Sequence, residues 1–338
     1  MMRRGVGFAR SFSGSHPLRS MVNGDSVKDS VLIVDTDVGF DDLFGIALLI
    51  SHGVKPALIT TVHGMASTKM AASSVRRLLA HCGQPTVAVV QGAERGLDGS
   101  KGGSIADQEW GADYRKQFER FMHSAAFPRE DEETSVPSSC GVQGAADAIY
   151  ERAKSAPEGK CKLLCLGPLT NLAVALDSYP DLPSHVEVVV MGGAVRAPGN
   201  AAGNAELNMH LDPVAAQKVV HSGIKLTMCC LATANESGKE RVVEAFGKLG
   251  SQQLAPAGDA MRALVQEMPS ASCYDPVVCA GLLSRKIWET EAVTVCVNAA
   301  TGETTERLDD GGARIALAVG FSVDEYVDVV MRGATAGR

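Results

Sequence analysis

Four carboxylates crowd the segment Asp35-Thr36-Asp37-Val38-Gly39-Phe40-Asp41-Asp42. Like charges this close raise one another's pKa and cost stability unless a cation neutralises them. A hard divalent ion with oxygen ligands is the simplest remedy. The apolar run Val31-Leu32-Ile33-Val34 leads into the cluster and an apolar stretch from Leu43 follows it, so the acids sit on a strand-to-helix turn. Gly39 suits a tight turn, and Asp41 and Asp42 fall where a helix N-terminus tolerates negative charge. Capping alone needs one acid rather than four. The spacing is not that of an EF-hand, and no Gly-rich run ends in Lys-Ser or Lys-Thr to cradle a phosphate.

Two further constellations share the right chemistry. Val188-Val189-Val190-Met191-Gly192-Gly193 reads as a strand ending in glycines, followed by Gly199-Asn200, Ala205-Glu206-Leu207-Asn208 and the helix opening Asp212-Pro213. Amides and a carboxylate grouped behind a buried strand offer partners for several hydroxyls, as a sugar would need. Turn formation accounts for Asn204 and for Asn200, but it leaves Glu206 and Asn208 unexplained. Cys273-Tyr274-Asp275-Pro276 precedes the apolar segment Val277 to Leu283, which places Asp275 at an expected N-cap with Pro in the first helical position. Leu164-Cys165-Leu166-Gly167-Pro168-Leu169-Thr170-Asn171 leaves a strand and enters a helix, where a backbone carbonyl can point towards the strand ends.

The elements that must position these residues alternate. Strand patterns cover Val31 to Asp35, Ala57 to Val62, Thr86 to Val90, Lys162 to Leu166, Val186 to Met191, Lys225 to Cys230 and Ala292 to Val297. Helical patterns cover Thr68 to His81, Gly144 to Lys154, Leu169 to Leu176 and Pro213 to His221. Apolar strands separated by helices predict an α/β protein with an open, mainly parallel sheet and helices on both faces. Ligands of such sheets bind at the carboxyl ends of the strands, where all three constellations fall. Gly92 to Ser139 and Asn235 to Ser272 break the alternation, the first as an irregular insertion and the second as two helices without a strand. Insertions of this kind carry specificity loops.

Composition narrows the partner. A formal net charge of −7 leaves no electrostatic footprint for nucleic acid or an anionic membrane. No apolar run approaches the roughly 20 residues of a spanning helix. The nine cysteines lack the paired short spacings of a zinc site and read as reduced core residues. Residues 1–30 form an N-terminal extension whose first part carries Arg3, Arg4, Arg10 and Arg19 without an acid before Asp25. This is transit-peptide composition, and Arg10-Ser11-Phe12-Ser13 fits an arginine-containing cleavage context. The expectations are a single domain over residues 31–338 and a cytoplasmic protein, or a mitochondrial one if the extension is a presequence.

Together, Asp-Thr-Asp-x-Gly-x-Asp-Asp, Leu-Gly-Pro-Leu-Thr-Asn, Met-Gly-Gly with Gly-Asn and Ala-Glu-x-Asn, and Asp-Pro resemble the nucleoside hydrolase family, inosine-uridine and purine preferring enzymes included, over about Val31 to Gly337. The resemblance implies the nucleoside hydrolase fold with its Rossmann-like core, a homodimer or homotetramer, and cleavage of a ribonucleoside to base and ribose in purine salvage or nucleoside catabolism. It implies a calcium ion (Ca2+) held by Asp37, Asp42, Asp275 and the Leu166 carbonyl, with Asp35 in support. Asp41 and Asn208 would hold the 2′ and 3′ hydroxyls of the ribose, and Asn200 and Glu206 its 5′ end. Asp37 would act as general base on a water that the ion orients and acidifies.

The chain also departs from the family. Tyr274 stands where the inosine-uridine type often has a His as leaving-group acid, and the purine-preferring branch has an aromatic residue there. Met65 replaces a usual Asn, Ala232 replaces a common Asp, and Gly92 to Ser139 shows no clear His-Gly lid motif. Tyr274 and Trp110 are therefore the expected base contacts, purines of the inosine and guanosine kind the expected substrates, and His63 a structural residue. Two alternatives stay open. A haloacid-dehalogenase type phosphotransferase would use Asp35 as nucleophile and Asp37 as acid/base, though its motif breaks at Gly39. A catalytically silent nucleoside-binding relative would explain the absent His.

Overall fold

Val31–Thr36 (β1) is buried along nearly its whole length, because it lies inside a sheet covered on both faces. Leu32 and Val34 point into one apolar layer and Ile33 into the other, the two-residue period of a strand. The computed structural model describes residues 27–99, 109–122, 141–235, 238–267 and 273–336; the side chains of residues 109–112 and 115 lie outside that description. The strands after β1 are β2 (Leu58–Thr61), β3 (Val89–Gln91), β4 (Cys161–Cys165), β5 (Glu187–Met191), β6 (Leu226–Cys229), β7 (Glu289–Val297), β8 (Thr304–Arg307) and β9 (Ala313–Val319). They form one sheet in the order β3-β2-β1-β4-β5-β6-β9-β7-β8. The pairs from β3 to β9 are parallel, whereas β7 runs antiparallel to both β9 and β8.

The described helices are α1 (Phe40–Ser51), α2 (Thr68–His81), α3 (Glu109–Met122), α4 (Gly141–Lys154), α5 (Thr170–Ser178), α6 (Leu207–Leu211), α7 (Pro213–Val220), α8 (Leu231–Ala234), α9 (Lys239–Gly247), α10 (Pro256–Glu267), α11 (Asp275–Leu283) and α12 (Val323–Thr335). One layer joins α1, α2, α3, α9, α10, α11 and α12 to the sheet, and the other joins α4, α5 and α7. Among the described residues no helix is long and apolar enough to cross a membrane. The described cysteines are free thiols, most of them buried, and burial pushes Cys273 up to about 12. Cys140 and residues 1–26 of the extension lie outside the described residues. Val27, ahead of β1, already packs in the core.

The structure corrects several sequence expectations. The edge strand β8 was not foreseen, since it is exposed over three of its four residues and carries no apolar signal, and β9 was missed although it is apolar and buried from Ile315 to Ala318. The third strand is shorter than expected and shifted towards Gln91. The stretch from Gly92 to Ser139, expected to be irregular, contains α3. Tyr114, Phe118 and Phe121 recur there at helical spacing and pack around Phe40. Asp275 is the first residue of α11 and Tyr274 the cap, without a side-chain capping bond. Asp275 is thus not explained by capping.

α1 and α11 cross closely at Gly45. A Cβ there would fall 2.7 Å from Cys279 Sγ and 3.5 Å from the Asp275 carbonyl oxygen. The missing side chain therefore lets α11 bring Asp275 up to the acidic turn. Gly45→Val should destabilise the chain by about 1–3 kcal/mol through overpacking, read as a lower urea midpoint at unchanged m-value.

Candidate functional site

The acidic turn lies where β1 ends, and its backbone is bent sharply. Val38, with its side chain fully buried, has φ 58, a left-handed conformation that costs a β-branched residue about 1–3 kcal/mol. Such strain persists only where surrounding contacts fix it, and several do so here. Thr36 Oγ1 accepts the Val38 N–H at 3.2 Å and donates its own proton to Asp42 Oδ1. Asp42 Oδ2 accepts the Gly39 N–H at 2.7 Å, so a residue of the first helical turn reaches back to cap α1. Tyr114 of α3 accepts the next N–H, that of Phe40, at 3.0 Å.

Asp37 is fixed from the neighbouring strand exit. Its Oδ2 accepts the Met65 N–H at 2.8 Å and its main-chain oxygen the Ala66 N–H at 3.0 Å. Gly64, at φ 151, lies so close that a Cβ would stand 1.9 Å from Asp37 Oδ2. Loss of the usual Asn side chain at Met65 therefore leaves the backbone donor in place. Asp41 Oδ2 accepts the Tyr274 N–H at 3.3 Å, which ties the turn to the start of α11.

Asp41, Asp42 and Asp275 each bring a carboxylate oxygen within 4.8 Å of the others. Asp37, Asp42 and Asp275 are almost wholly shielded from solvent. Burial first, and then the charges of Asp42 and Asp41, hold the Asp37 and Asp275 carboxyls well above the usual carboxylate range. Burial and then Asp42 push Asp41 up to about 7. Three carboxylates this close together, with buried Asp37 beside them, form a donor set that a hard divalent cation fits: all oxygen and convergent.

The opposite wall comes from the ends of β4 and β5. Glu206 caps α6, its Oε1 accepting the Asn208 N–H at 2.9 Å and its Oε2 the Gly193 and Met209 N–H groups, each at 3.2 Å. Asn208 Nδ2 donates to the carbonyls of Leu166 at 2.9 Å and Met191 at 3.2 Å. Asn200 Oδ1 accepts the Leu207 N–H at 2.9 Å, and its side chain meets the Tyr274 hydroxyl. Asp37, Asp41, Asp42, Leu166, Asn200, Glu206, Asn208, Tyr274 and Asp275 thus line one cavity of about 600 Å³.

Other expected residues lie elsewhere. His63 is buried and pairs with Thr170 Oγ1 at 3.0 Å. Asp35 is fully buried beneath the turn, its Oδ1 accepting from Thr60 and from Asn171 at 2.5 and 2.8 Å. A nucleophile at Asp35, as the phosphotransferase alternative needs, would be shut away from substrate. The Trp110 side chain lies outside the described residues. Sequence reading missed the wall supplied by α3, where Tyr114, Lys116, Gln117 and Arg120 line the same cavity. Gln117 Nε2 donates to the Glu267 carbonyl at 3.0 Å, tethering α3 to the end of α10. The aromatic stripe of α3 was the available signal.

The family model described as inosine-uridine preferring nucleoside hydrolase matches residues 32–328. A protein named probable uridine nucleosidase 2 from Oryza sativa subsp. japonica is 35% identical over 194 residues, 57% of this chain and 53% of that protein. A protein named non-specific ribonucleoside hydrolase RihC from Klebsiella pneumoniae (strain 342) is 31% identical over 212 residues, 61% of this chain and 62% of that one. The matched segments therefore span just over half to about three fifths of these relatives. A solved structure titled plant nucleoside hydrolase superposes with a TM-score of 0.74 at 21% identity, covering 91% of this chain and 99% of that one.

Because the folded pKa of Asp37 is raised, the cation-free chain loses stability as pH rises from the ordinary carboxylate range through the folded value. Asp37→Asn removes one charge from the cluster and should raise the cation-free melting temperature at pH 8. Scanning calorimetry in chelator checks this, and an unchanged or lower value would contradict the repulsion argument.

Proposed function

Since the chain belongs to the inosine-uridine preferring nucleoside hydrolase family, we propose that it hydrolyses the N-glycosidic bond of ribonucleosides, with Asp37 as general base and calcium as its ion. The observation that carries this reading is the convergence of the Asp37–Asp42 turn with distant Asp275 opposite Glu206 and Asn208 in one cavity. Asp37, Asp42, Asp275 and the Leu166 carbonyl would hold the ion. When bound, calcium supplies a charge that orients water and makes it easier to deprotonate.

The remaining roles follow from the residues themselves. Asp37 Oδ2 is occupied by the Met65 N–H, which leaves Oδ1 to take the proton of the attacking water. Asp41 and Asn208 face the 2′ and 3′ hydroxyls, and Asn200 and Glu206 the 5′ end. Glu206 already accepts three backbone N–H groups, so it is held rigidly as an acceptor. Cleavage of the glycosidic bond builds positive charge on the ribose, and fixed carboxylates around the ring stabilise that charge more than they stabilise the bound substrate. Tyr274, half-buried in the wall beside Asn200, offers its ring to the base.

Tyr274 supports purine nucleosides of the inosine and guanosine type as substrates, since an aromatic ring stacks well on a large base. The names of the rice and Klebsiella relatives favour a second reading, uridine or a broad range. A panel of inosine, guanosine, adenosine, uridine and cytidine, scored as ribose released, separates the two. Binding of inosine without ribose release would instead mark a silent relative.

Asp37→Ala should lower turnover by at least about 10²-fold, the scale of general-base loss, while the protein stays folded by circular dichroism. Near-normal turnover would remove Asp37 from the mechanism. Tyr274→Ala should reduce inosine turnover more than turnover of a nitrophenyl riboside, whose leaving group needs no help. Equal losses on both would count against stacking.

A further inference from the structure

The helix α3 lies outside every motif that carries the family resemblance, yet it forms one wall of the cavity. We propose that Tyr114 is a positioning residue: its phenol oxygen takes the Phe40 N–H so that Asp42 stays turned towards the cation site and Asp41 towards the ribose. The proposal rests on the nucleoside hydrolase reading and adds a component to it.

The first N–H groups of any helix lack partners within the helix. At the start of α1 the Gly39 N–H is met by Asp42 at 2.7 Å and the Phe40 N–H by Tyr114 at 3.0 Å. Without the phenol, the acceptors at hand are the carboxylates of the same turn. Asp41 Oδ1 and the Tyr114 hydroxyl lie against one spot above Gly39, each 2.9 Å from where a Cβ would stand. A carboxylate is the stronger partner for an N–H because its hydrogen bond is charge-assisted. An Asp41 that swung over to cap Phe40 would be withdrawn from the ribose, and an Asp42 that did so, its Oδ2 3.2 Å from the same spot, from the cation. A phenol fills the post with a neutral oxygen and leaves the acids free.

The ring is held independently of the hydroxyl. Tyr114 meets Phe40 edge-on at 5.5 Å and lies parallel to Phe118 at 6.3 Å. Phe118 and Phe121 also pack edge-on to Phe40, at 5.1 and 5.4 Å. Tyr114→Phe therefore removes one oxygen and keeps the aromatic packing. Phe118→Leu does the reverse, loosening the packing while leaving the phenol.

The test titrates calcium chloride into metal-stripped full-length protein by calorimetry and records the melting temperature in chelator. Tyr114→Phe should bind calcium about 10-fold more weakly, the lower end of what loss of a supporting partner costs a metal site, with little change in melting temperature. Phe118→Leu should melt lower and bind calcium as the unaltered chain does. Unaltered affinity in Tyr114→Phe overturns the proposal, and so does an equal loss in Phe118→Leu, which would assign the effect to packing. Absence of calcium binding by the unaltered chain would overturn the calcium reading itself and the proposal with it.

Discussion

Mutual repulsion among Asp37, Asp41, Asp42 and Asp275 is the constraint around which this chain is organised. Four carboxyls in one poorly solvated corner oppose folding: burial first, and then neighbouring charge at Asp37, Asp41 and Asp275, holds them above the usual carboxylate range. The surrounding structure holds the acids with fixed dipoles. Thr36 donates to Asp42, the Gly39 N–H to Asp42, the Met65 N–H to Asp37 and the Tyr274 N–H to Asp41. These donors orient the acids without neutralising them. The remaining charge is available to a cation and, beyond it, to a sugar that becomes positive as its bond to the base breaks.

Strain is part of the same arrangement. Val38 occupies a left-handed conformation that favours glycine, at the bend between Asp37 and the helix that presents Asp41 and Asp42. Strained backbone concentrates where geometry matters more than local stability. Here it turns the chain within one residue, so that carboxylates on both sides of the bend look into one cavity. The crossing of α1 and α11 at Gly45 completes the set by carrying Asp275 across a long separation in sequence.

Several residues of the cavity serve the backbone and the ligand site at once. Glu206 caps α6, Asn208 bridges the ends of β4 and β5 through the Leu166 and Met191 carbonyls, and Asp42 caps α1. Such double duty makes the site rigid, because the side chains that face the substrate are held by the chain ends they organise. It also shows why a capping explanation and a binding explanation of one residue do not exclude each other.

What the sequence determined by itself was the parallel core, the turn from Asp35 to Asp42 and the grouping of Asn200, Glu206 and Asn208. Burial on both faces writes continuous apolar strands, and a chemical cluster within one turn is local by nature. Phe40, Tyr114, Phe118 and Phe121 show where local pattern ends. The spacing of the last three in α3 signals a helix, but only packing decides that it lies across the acidic turn and lends a hydroxyl to Phe40. Likewise β8 pairs with β7 at the edge of the sheet, and its exposed residues carry little burial signal. Only the tertiary structure separated Asp35, locked under the floor by Thr60 and Asn171, from Asp37 two residues later in the cavity. Side chains two apart on a strand would face the same way, but Asp35 lies inside β1 under its packing, whereas Asp37 lies past the strand's end, where the chain bends at Val38.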